Sequence, residues 1–385
     1  YIPFPQAAPN VPVIDRQFCR YFIDGKCRVC EKICPFEAVN FSQMDEVITE
    51  KFGVIVVATG FTLFDHSIYG EYGYGKYQNV ITGLDLERLL NSAGPTGGEI
   101  LRPSDGEKPK SVVFIQCVGS RDPVKGMPYC SRVCCMYTAK QALLLKERDP
   151  EAQAYIFYID IRAAGKNYEE FVDRAREEFG VQYIRGRVSK IYQRGKKLMV
   201  NGADTLLGQQ VEVEADLVVL ASAAVPTPGA ADLARRIGVA SDNYGFFIEA
   251  HPKLRPVEAL TEGIFVAGSC QAPRDIPDTV AAASAVPAKA CGFFSRDYLT
   301  TEPVIAVIDP IRCTGCLACM AVCPFEAISA RELKGALIAE VNPVTCKGCG
   351  LCVSTCYPSA AQLKGFSDEQ ILKEVEALLY ESEVR

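Results

Sequence analysis

Apolar residues in this chain come in short, dense runs. Gly53-Val54-Ile55-Val56-Val57-Ala58 ahead of Thr59-Gly60, Asp216-Leu217-Val218-Val219-Leu220-Ala221, and Gly263-Ile264-Phe265-Val266-Ala267 ahead of Gly268 lack the alternation of a half-exposed strand. Such runs predict strands buried on both faces, as in a parallel sheet. Residues 111–116 and 155–160 predict two more strands by their β-branched and aromatic content, with shorter β segments around Val188, Leu198 and Val211. Helical patterns fill the spaces at 130–147, 168–179 and 278–289, and Pro287 should interrupt the last by removing a hydrogen bond. In the tail at 367–385, Ile371, Leu372, Val375, Leu378 and Leu379 fall on one stripe of a helix, and Ser367 with Gln370 forms a capping box. Strands alternating with helices place the chain in the α/β class. The apolar runs are far shorter than the ~20 residues that span a bilayer, and no signal-peptide pattern is present.

Composition narrows the class. With 385 residues and 49% hydrophobic content the chain has material for about two or three globular domains. Its formal charge is −6 and it holds no basic run, which argues against nucleic acid or an anionic membrane surface as a primary partner. It has no tryptophan and only two histidines, His66 and His251, so histidine-based catalysis and histidine-rich metal sites are poorly supported. Eighteen cysteines could signal disulfides, but their Cys-x2-Cys spacing places them near metals and the chain in a reducing cytoplasm. The start at Tyr1, in a stretch holding Pro3, Pro5, Pro9 and Pro12, reads as an interior starting point, as of a polypeptide whose first part lies elsewhere.

The cysteines carry the chemistry. Cys313-x2-Cys316-x2-Cys319-x3-Cys323-Pro324 followed by Cys346-x2-Cys349-x2-Cys352-x3-Cys356 has the ligand spacing of a bacterial-type ferredoxin with two [4Fe-4S] clusters. In such a ferredoxin the fourth cysteine of each run serves the other cluster, so the expected sets are Cys313, Cys316, Cys319 and Cys356, and Cys346, Cys349, Cys352 and Cys323. Tyr357 stands where a second Cys-Pro would be expected, with Pro358 one residue later. Upstream, Cys19-x7-Cys27-x2-Cys30-x3-Cys34-Pro35 repeats the ending of a ferredoxin half, and Phe36-Glu37-Ala38-Val39 parallels Phe325-Glu326-Ala327-Ile328. That suits one more [4Fe-4S] cluster. A four-thiolate zinc site is the alternative for each of these sets.

A further set, Cys117-x12-Cys130-x3-Cys134-Cys135, sits at a predicted strand end and helix start. A doubly wound domain would hold a dinucleotide phosphate there on a glycine-rich loop, whereas this loop is Val118-Gly119-Ser120-Arg121-Asp122. From spacing alone a cluster and buried structural cysteines are both open. Cys270 and Cys291 remain, by default as small buried residues. The strand ends at Gly60 and Gly268, with Asp278 opening the next helix, can bring backbone N–H groups against a cofactor phosphate or flavin ring, or can be ordinary parallel strands. No Gly-x-Gly-x-x-Gly occurs in the chain.

The runs Phe114-Ile115-Gln116-Cys117-Val118-Gly119-Ser120-Arg121-Asp122, Tyr129-Cys130-Ser131-Arg132-Val133-Cys134-Cys135-Met136-Tyr137-Thr138-Ala139-Lys140, Asp275-Ile276-Pro277-Asp278 and Gly365-Phe366-Ser367-Asp368-Glu369-Gln370-Ile371-Leu372 resemble the A-type subunit of heterodisulfide reductase, and the likeness covers essentially the whole chain. The resemblance implies a thioredoxin-reductase-like FAD/NAD(P)-binding domain with an inserted single-cluster ferredoxin module and a C-terminal two-[4Fe-4S] ferredoxin domain. The corresponding boundaries are 1–50 for the inserted module and 51–300 for the flavoprotein domain, in which 51–75 and 216–300 form a partial FAD half and 76–215 a second nucleotide-binding-like half. The two-cluster ferredoxin takes 301–366 and a terminal helix 367–385. It further implies that Cys117, Cys130, Cys134 and Cys135 ligate a flavin-proximal cluster, bringing the [4Fe-4S] count to four, and that Lys140 lies near the isoalloxazine ring as a catalytic group. Gly60, Gly119, Gly268 and Asp278 complete the flavin contacts. Relatives carry a glycine-rich FAD motif in a preceding part, so FAD would be shared with residues upstream of Tyr1.

The implied function is electron transfer within a dimeric, multi-subunit complex, with flavin-based electron bifurcation or its reverse. Implied partners are B- and C-type subunits, a hydrogenase or formate dehydrogenase or its small iron–sulfur linker, and ferredoxin. Two other readings are a non-bifurcating relay in a quinone- or acyl-CoA-linked oxidoreductase and an assembly scaffold.

Overall fold

The computed structural model describes residues 12–44, 46–295, 298 and 303–383. The chain divides into two compact units between Phe52 and Gly53. The first holds two short helices, α1 (Arg20–Asp24) and α2 (Val29–Ile33). Its apolar centre is three rings, Tyr21, Phe22 and Phe41, with centroids 4.2 to 5.7 Å apart and the Arg28 guanidinium over two of them. Phe18, Ile33 and Phe36 are exposed. So small a core leaves a unit of this length in need of a staple such as a metal centre.

The second unit begins with β1 (Ile55–Val57), β2 (Phe61–Leu63) and β3 (Val80–Thr82), whose last residue caps α3 (Gly83–Leu90) in a reciprocal box with Asp85. Then β4 (Ser111–Val118), α4 (Cys134–Arg148), β5 (Gln153–Tyr158), α5 (Tyr168–Glu177) and β6 (Gln182–Arg185) build successive parallel units. An antiparallel meander follows, β7 (Val188–Arg194), β8 (Lys197–Asp204) and β9 (Gln209–Ala215), before β10 (Leu217–Ser222) enters the sheet and β11 (Ala224–Pro226) pairs back on β2. The sheet order is β3-β10-β4-β5-β6, parallel throughout, with Val219 opposite both Ile81 and Phe114.

Alternate residues of these strands feed two cores. Val112, Phe114, Ile156, Leu217 and Val219 pack with Leu86, Ala142, Leu145 and Ala175 of the helices. Val113, Ile115, Phe157, Val218 and Leu220 pack with Val188, Ile191, Leu198 and Val200 of the meander. Burial on both faces is why the run at 217–221 shows no alternation. The α/β class read from the sequence is the one observed. The helix expected from residue 130 starts at Cys134 instead, because Arg132 takes φ 61, a left-handed conformation that no α-helix admits.

After α6 (Ala230–Ile237), β12 (Ile264–Val266) pairs in parallel with β1, Ile55 against Ile264 and Val57 against Val266. It leads into α7 (Ile276–Phe294), which runs through Pro287 without the expected interruption. Ala282, Val286 and Ala290 pack one face of the helix on Val257, Phe265 and Ala267, and this packing on both sides of the proline outweighs the lost hydrogen bond. Of the two cysteines expected to be buried, Cys270 is, whereas Cys291 is exposed on α7.

The remainder is a duplicated pattern. β13 (Ala306–Ile308), α8 (Ala318–Ala321) and β14 (Ile328–Leu333) are answered by β15 (Ala336–Val341), α9 (Leu351–Thr355) and β16 (Ala361–Leu363), with β13 paired to β16 and β14 to β15, both antiparallel. α10 (Asp368–Glu383) begins at the expected box, Ser367 and Gln370 exchanging bonds of 3.1 and 3.4 Å, and its Ile371, Leu372, Val375 and Leu378 are exposed. Among the described residues no helix is long and apolar enough to cross a membrane.

Asp216, at the mouth of β10, locks the sheet to the meander. Its side chain is 2% exposed and meets Arg102 at 3.0 Å, Lys197 at 2.9 Å and the backbone N–H groups of Lys110 and Ser111 at 2.9 and 3.2 Å. Burial alone would raise its pKa, but Lys197 and the two N–H donors outweigh burial and hold the carboxyl below its ordinary value. The clamp is therefore at full strength at neutral pH and is released as pH falls through that depressed pKa. Replacing Asp216 by Ala leaves the Lys110 and Ser111 N–H groups without an acceptor, while Arg102 keeps Asp105 and Lys197 keeps Glu214, and should cost about 2–3 kcal/mol in denaturant unfolding; a loss below about 1 kcal/mol, the worth of an exposed pair, would contradict the clamp.

Candidate functional site: thiol-lined cavities and a cysteine set at the sheet end

Each half of the duplicated region presents its thiols to a cavity. One cavity is lined by Cys313, Cys316, Cys319 and Cys356 together with Ile308, Leu317 and Ala339. The other is lined by Cys346, Cys349, Cys352 and Cys323 with Phe325, Ile328 and Leu351. Three thiols in each come from one run and the fourth from the other. Burial, followed by the neighbouring thiols Cys346, Cys349, Cys323 and Cys319, pushes the Cys352 thiol up to about 11. Cys319 is raised by burial and by Cys313 and Cys316. These shifts measure crowding of like groups, which favours the neutral thiol unless a cation or an N–H donor compensates.

Donors are supplied by one backbone turn used three times. At Cys323 the residue three along, Glu326, has φ 48 and donates to the cysteine carbonyl at 3.3 Å, and Ala327 N donates to Cys323 Sγ at 3.4 Å. At Cys356 the corresponding residues are Ser359, φ 53, and Ala360 N, 3.2 Å from Cys356 Sγ, with Ala361 N at 3.3 Å. At Cys34 they are Glu37, φ 51, and Ala38, whose N–H is first among the donors that lower the Cys34 thiol. The departure at Tyr357 leaves the turn intact, because the turn needs only the positive φ and the N–H that follows; the Tyr357 side chain is fully exposed.

A second local device precedes the first cysteine of each run. Asp15, Asp309 and Asn342 each accept from the N–H two residues on, at 2.8 to 3.0 Å, and each carbonyl accepts from the cysteine four residues on, at 3.0 Å. Asp15-x3-Cys19, Asp309-x3-Cys313 and Asn342-x3-Cys346 were a signal in the sequence that cysteine spacing alone passes over. They make Cys19 the counterpart of Cys313 and Cys346. Cys27 lies between α1 and α2, Cys30 lies in α2 and Cys34 ends it.

The fourth set lies at the C-terminal end of the parallel sheet, between β4 and β10, where the direction of strand order reverses. Cys117 is at the end of β4 with φ 60, and Cys134 and Cys135 open α4. Hydrogen bonds to Cys117 and Cys135, then burial, raise Cys134 well above the usual thiol range. The same contact lowers Cys117, and it brings Cys135 down to about 7. Cys130 accepts from Arg132 N at 3.3 Å. The loop from Cys117 to Cys134 is pinned by buried Ser131, whose Oγ is 2.7 Å from Ser120 Oγ and accepts from Ala224 N at 2.9 Å.

Of the residues read as flavin contacts, Gly119 and Asp278 lie at this cysteine loop, whereas Lys140 lies six residues past Cys134 along α4. Gly60, φ 71, and Gly268, φ 74, follow the paired strands β1 and β12 on one side, and a side chain at Gly60 would meet nothing within 4 Å. Gly119, φ 80, follows β4 with Phe64 packed so closely that a Cβ would clash with its ring. Asp278, in the first turn of α7, holds Arg132 at 2.9 Å and so ties the cysteine loop to α7. Lys140, in α4, is paired with Glu87 at 2.7 Å. Among the described residues no three His, Cys, Asp or Glu side chains form a group that could hold a single metal ion.

Residues 305–357 match the family model described as a 4Fe-4S dicluster domain. Over 333 residues, 86% of its length, the chain is 48% identical to the A-type subunit of the H2:CoB-CoM heterodisulfide,ferredoxin reductase of Methanothermobacter marburgensis. It is 48% identical over 381 residues, 98% of its length, to the A-type iron-sulfur subunit of the CoB–CoM heterodisulfide reductase of Methanocaldococcus jannaschii. It covers 50% and 57% of those two proteins, so the chain spans about half the length of the curated relatives it matches. Thioredoxin reductase of T. acidophilum aligns over 63% of this chain and 65% of that one at 16% identity with a TM-score of 0.39. Over the half of those relatives that it spans, the chain is similar to heterodisulfide reductase A-type subunits.

Proposed function

We propose that this chain is the electron-distributing iron–sulfur and flavin portion of a heterodisulfide-reductase-like oxidoreductase complex. The observation that carries the reading is the exchange of fourth cysteines between the two thiol-lined cavities, the arrangement of a two-cluster ferredoxin. In it, Cys313, Cys316, Cys319 and Cys356 hold one [4Fe-4S] cluster and Cys346, Cys349, Cys352 and Cys323 another. Cys19, Cys27, Cys30 and Cys34 hold a third, supported by the turn they share with the C-terminal runs. Cys117, Cys130, Cys134 and Cys135 hold the fourth, supported by the contact among three of these thiols at a sheet end.

The residues present suit clusters better than zinc, since four thiols ring a cavity instead of converging on a point, and N–H donors face the sulfurs. Clusters supply one-electron storage and FAD the exchange between one- and two-electron carriers. The chain's own part is placement. Phe325, Ile328 and Leu317 give the thiol cavities apolar walls, and the turn amides offset thiolate charge. Gly60, Gly119, Gly268 and Asp278 shape the flavin face, where Lys140, oriented by Glu87, presents a positive charge to the ring.

The names of relatives pair H2 or formate with CoB-CoM heterodisulfide and ferredoxin. By that likeness the complex contains B- and C-type subunits together with a hydrogenase- or formate-dehydrogenase-linked donor, and its flavin divides electron pairs between the disulfide and ferredoxin. Iron and sulfide analysis with EPR on the anaerobically purified chain should find four [4Fe-4S] clusters. Cys134→Ala should remove one and leave the C-terminal pair unchanged; a wild-type count of three with no effect of Cys134→Ala would remove the fourth assignment.

FAD needs a pyrophosphate grip, and this chain holds no Gly-x-Gly-x-x-Gly. Its flavin is therefore shared with a further polypeptide part, such as the portion of the longer relatives that the chain does not span. Residues 1–385 expressed alone should carry clusters but little flavin, and adding that part should restore it; stoichiometric, tightly bound FAD in the chain alone would overturn the sharing.

A further inference from the structure

Charge around the sheet-end thiols is unbalanced. Asp160 lies just beyond β5; its carbonyl accepts from the Cys135 thiol at 3.6 Å and its carboxylate holds Arg121 at 2.7 Å and Arg185 at 3.8 Å. Arg187 donates to the Arg121 carbonyl at 2.9 Å, and Arg162 follows Asp160 by two residues. Besides the Arg132–Asp278 pair, four guanidinium groups thus gather here against two carboxylates, Asp160 and Asp122, and Asp122 is also engaged by the Tyr69 hydroxyl at 2.5 Å. Among the four, Arg121 is built in most firmly. It sits four residues after Cys117, donates its backbone N–H to the carbonyl of Tyr129, the neighbour of Cys130, at 2.9 Å, and its side chain is 23% exposed. Its φ of 56 is a conformation that a long side chain adopts only where the surroundings impose it.

We infer that Arg121 is the positioning charge that raises the reduction potential of the cluster at Cys117, Cys130, Cys134 and Cys135, with Asp160 as its counterweight. The inference rests on the ligand set proposed above. Reduction adds one electron, and so one negative charge, to the cluster; a fixed guanidinium nearby favours the reduced form and a carboxylate disfavours it. Smaller effects of the Cys117 and Cys130 thiolates on the Arg121 guanidinium, after that of Asp160, are consistent with this placement.

The test is an anaerobic dithionite titration of the purified 385-residue chain, followed by EPR. The signal at issue is the one that Cys134→Ala abolishes. Arg121→Gln should move its midpoint to more negative potential, Arg121→Lys should restore most of the shift, and Asp160→Asn should move it the opposite way. Opposite signs at two partners of one ion pair are not expected of mere loosening. An unchanged midpoint in Arg121→Gln with iron content retained would overturn the role of the arginine. Iron content unaffected by Cys134→Ala would overturn the ligand set and the inference with it.

Discussion

Four thiols facing one cavity repel one another once ionised, and the structure depends on how that repulsion is met. In the duplicated region the answer is local and backbone-made. A residue three after the last cysteine of a run turns left-handed, and the amide after it aims at the sulfur, as at Glu326 with Ala327 and at Ser359 with Ala360. Because this cysteine lines the cavity of the opposite run, each turn delivers its donor to the other half. Neither cavity can be completed without both halves, which makes residues 306–363 one cooperative object.

The sheet-end set meets the same repulsion differently. Its thiols lie where a parallel sheet reverses direction, the place at which α/β proteins bind dinucleotide phosphates through glycine-rich loops and helix N-termini. Here the loop residues are Cys117, Arg121, Cys130 and Arg132, and three of these four take φ near 60. The backbone amides of Arg132 and Arg162 serve Cys130 and Cys135, and guanidinium groups add positive charge at longer range. Both solutions satisfy anions at a strand end; the cysteine version trades the closeness of glycine for thiols that can hold a redox centre.

Much of this was legible in the sequence, and the rest was hidden for identifiable reasons. Ligand spacing within a run is a local property, so the two C-terminal quartets could be written down from the order of cysteines, and the cavities hold those same sets. The strand at 217–221 was legible from its unbroken apolar run because both faces of its sheet are covered, whereas the like run at 53–58 misled, since Ile55 and Val56 of β1 stand 45% and 47% exposed. The start of α4 was misplaced because nothing in the letters Ser131-Arg132-Val133 announces a left-handed Arg132, which is held there by a long-range ion pair to Asp278. Pro287 was misjudged because tertiary packing outweighed a local rule. Asp160, Arg121 and Ser131 were missed since their roles come from contacts 11 to 93 residues away in the chain.

Sequence distance also separates the two kinds of site physically. Each thiol cavity of the C-terminal region draws on residues within one short stretch, 306–352 for one and 308–360 for the other, so closing it costs little loop entropy. The face proposed to meet a flavin instead relies on β1 meeting β12, Ile55 with Ile264, and on Arg132 meeting Asp278. Its closure spans more than half of the chain and rests on a two-stranded pair in which Ile55 and Val56 remain nearly half exposed. Parallel strands are normally covered on both faces, so this pair gains its full stability only with further apolar cover. The cluster-bearing region can therefore be ordered by its own contacts and metal ligation, while the face proposed to meet a flavin depends on what packs against it.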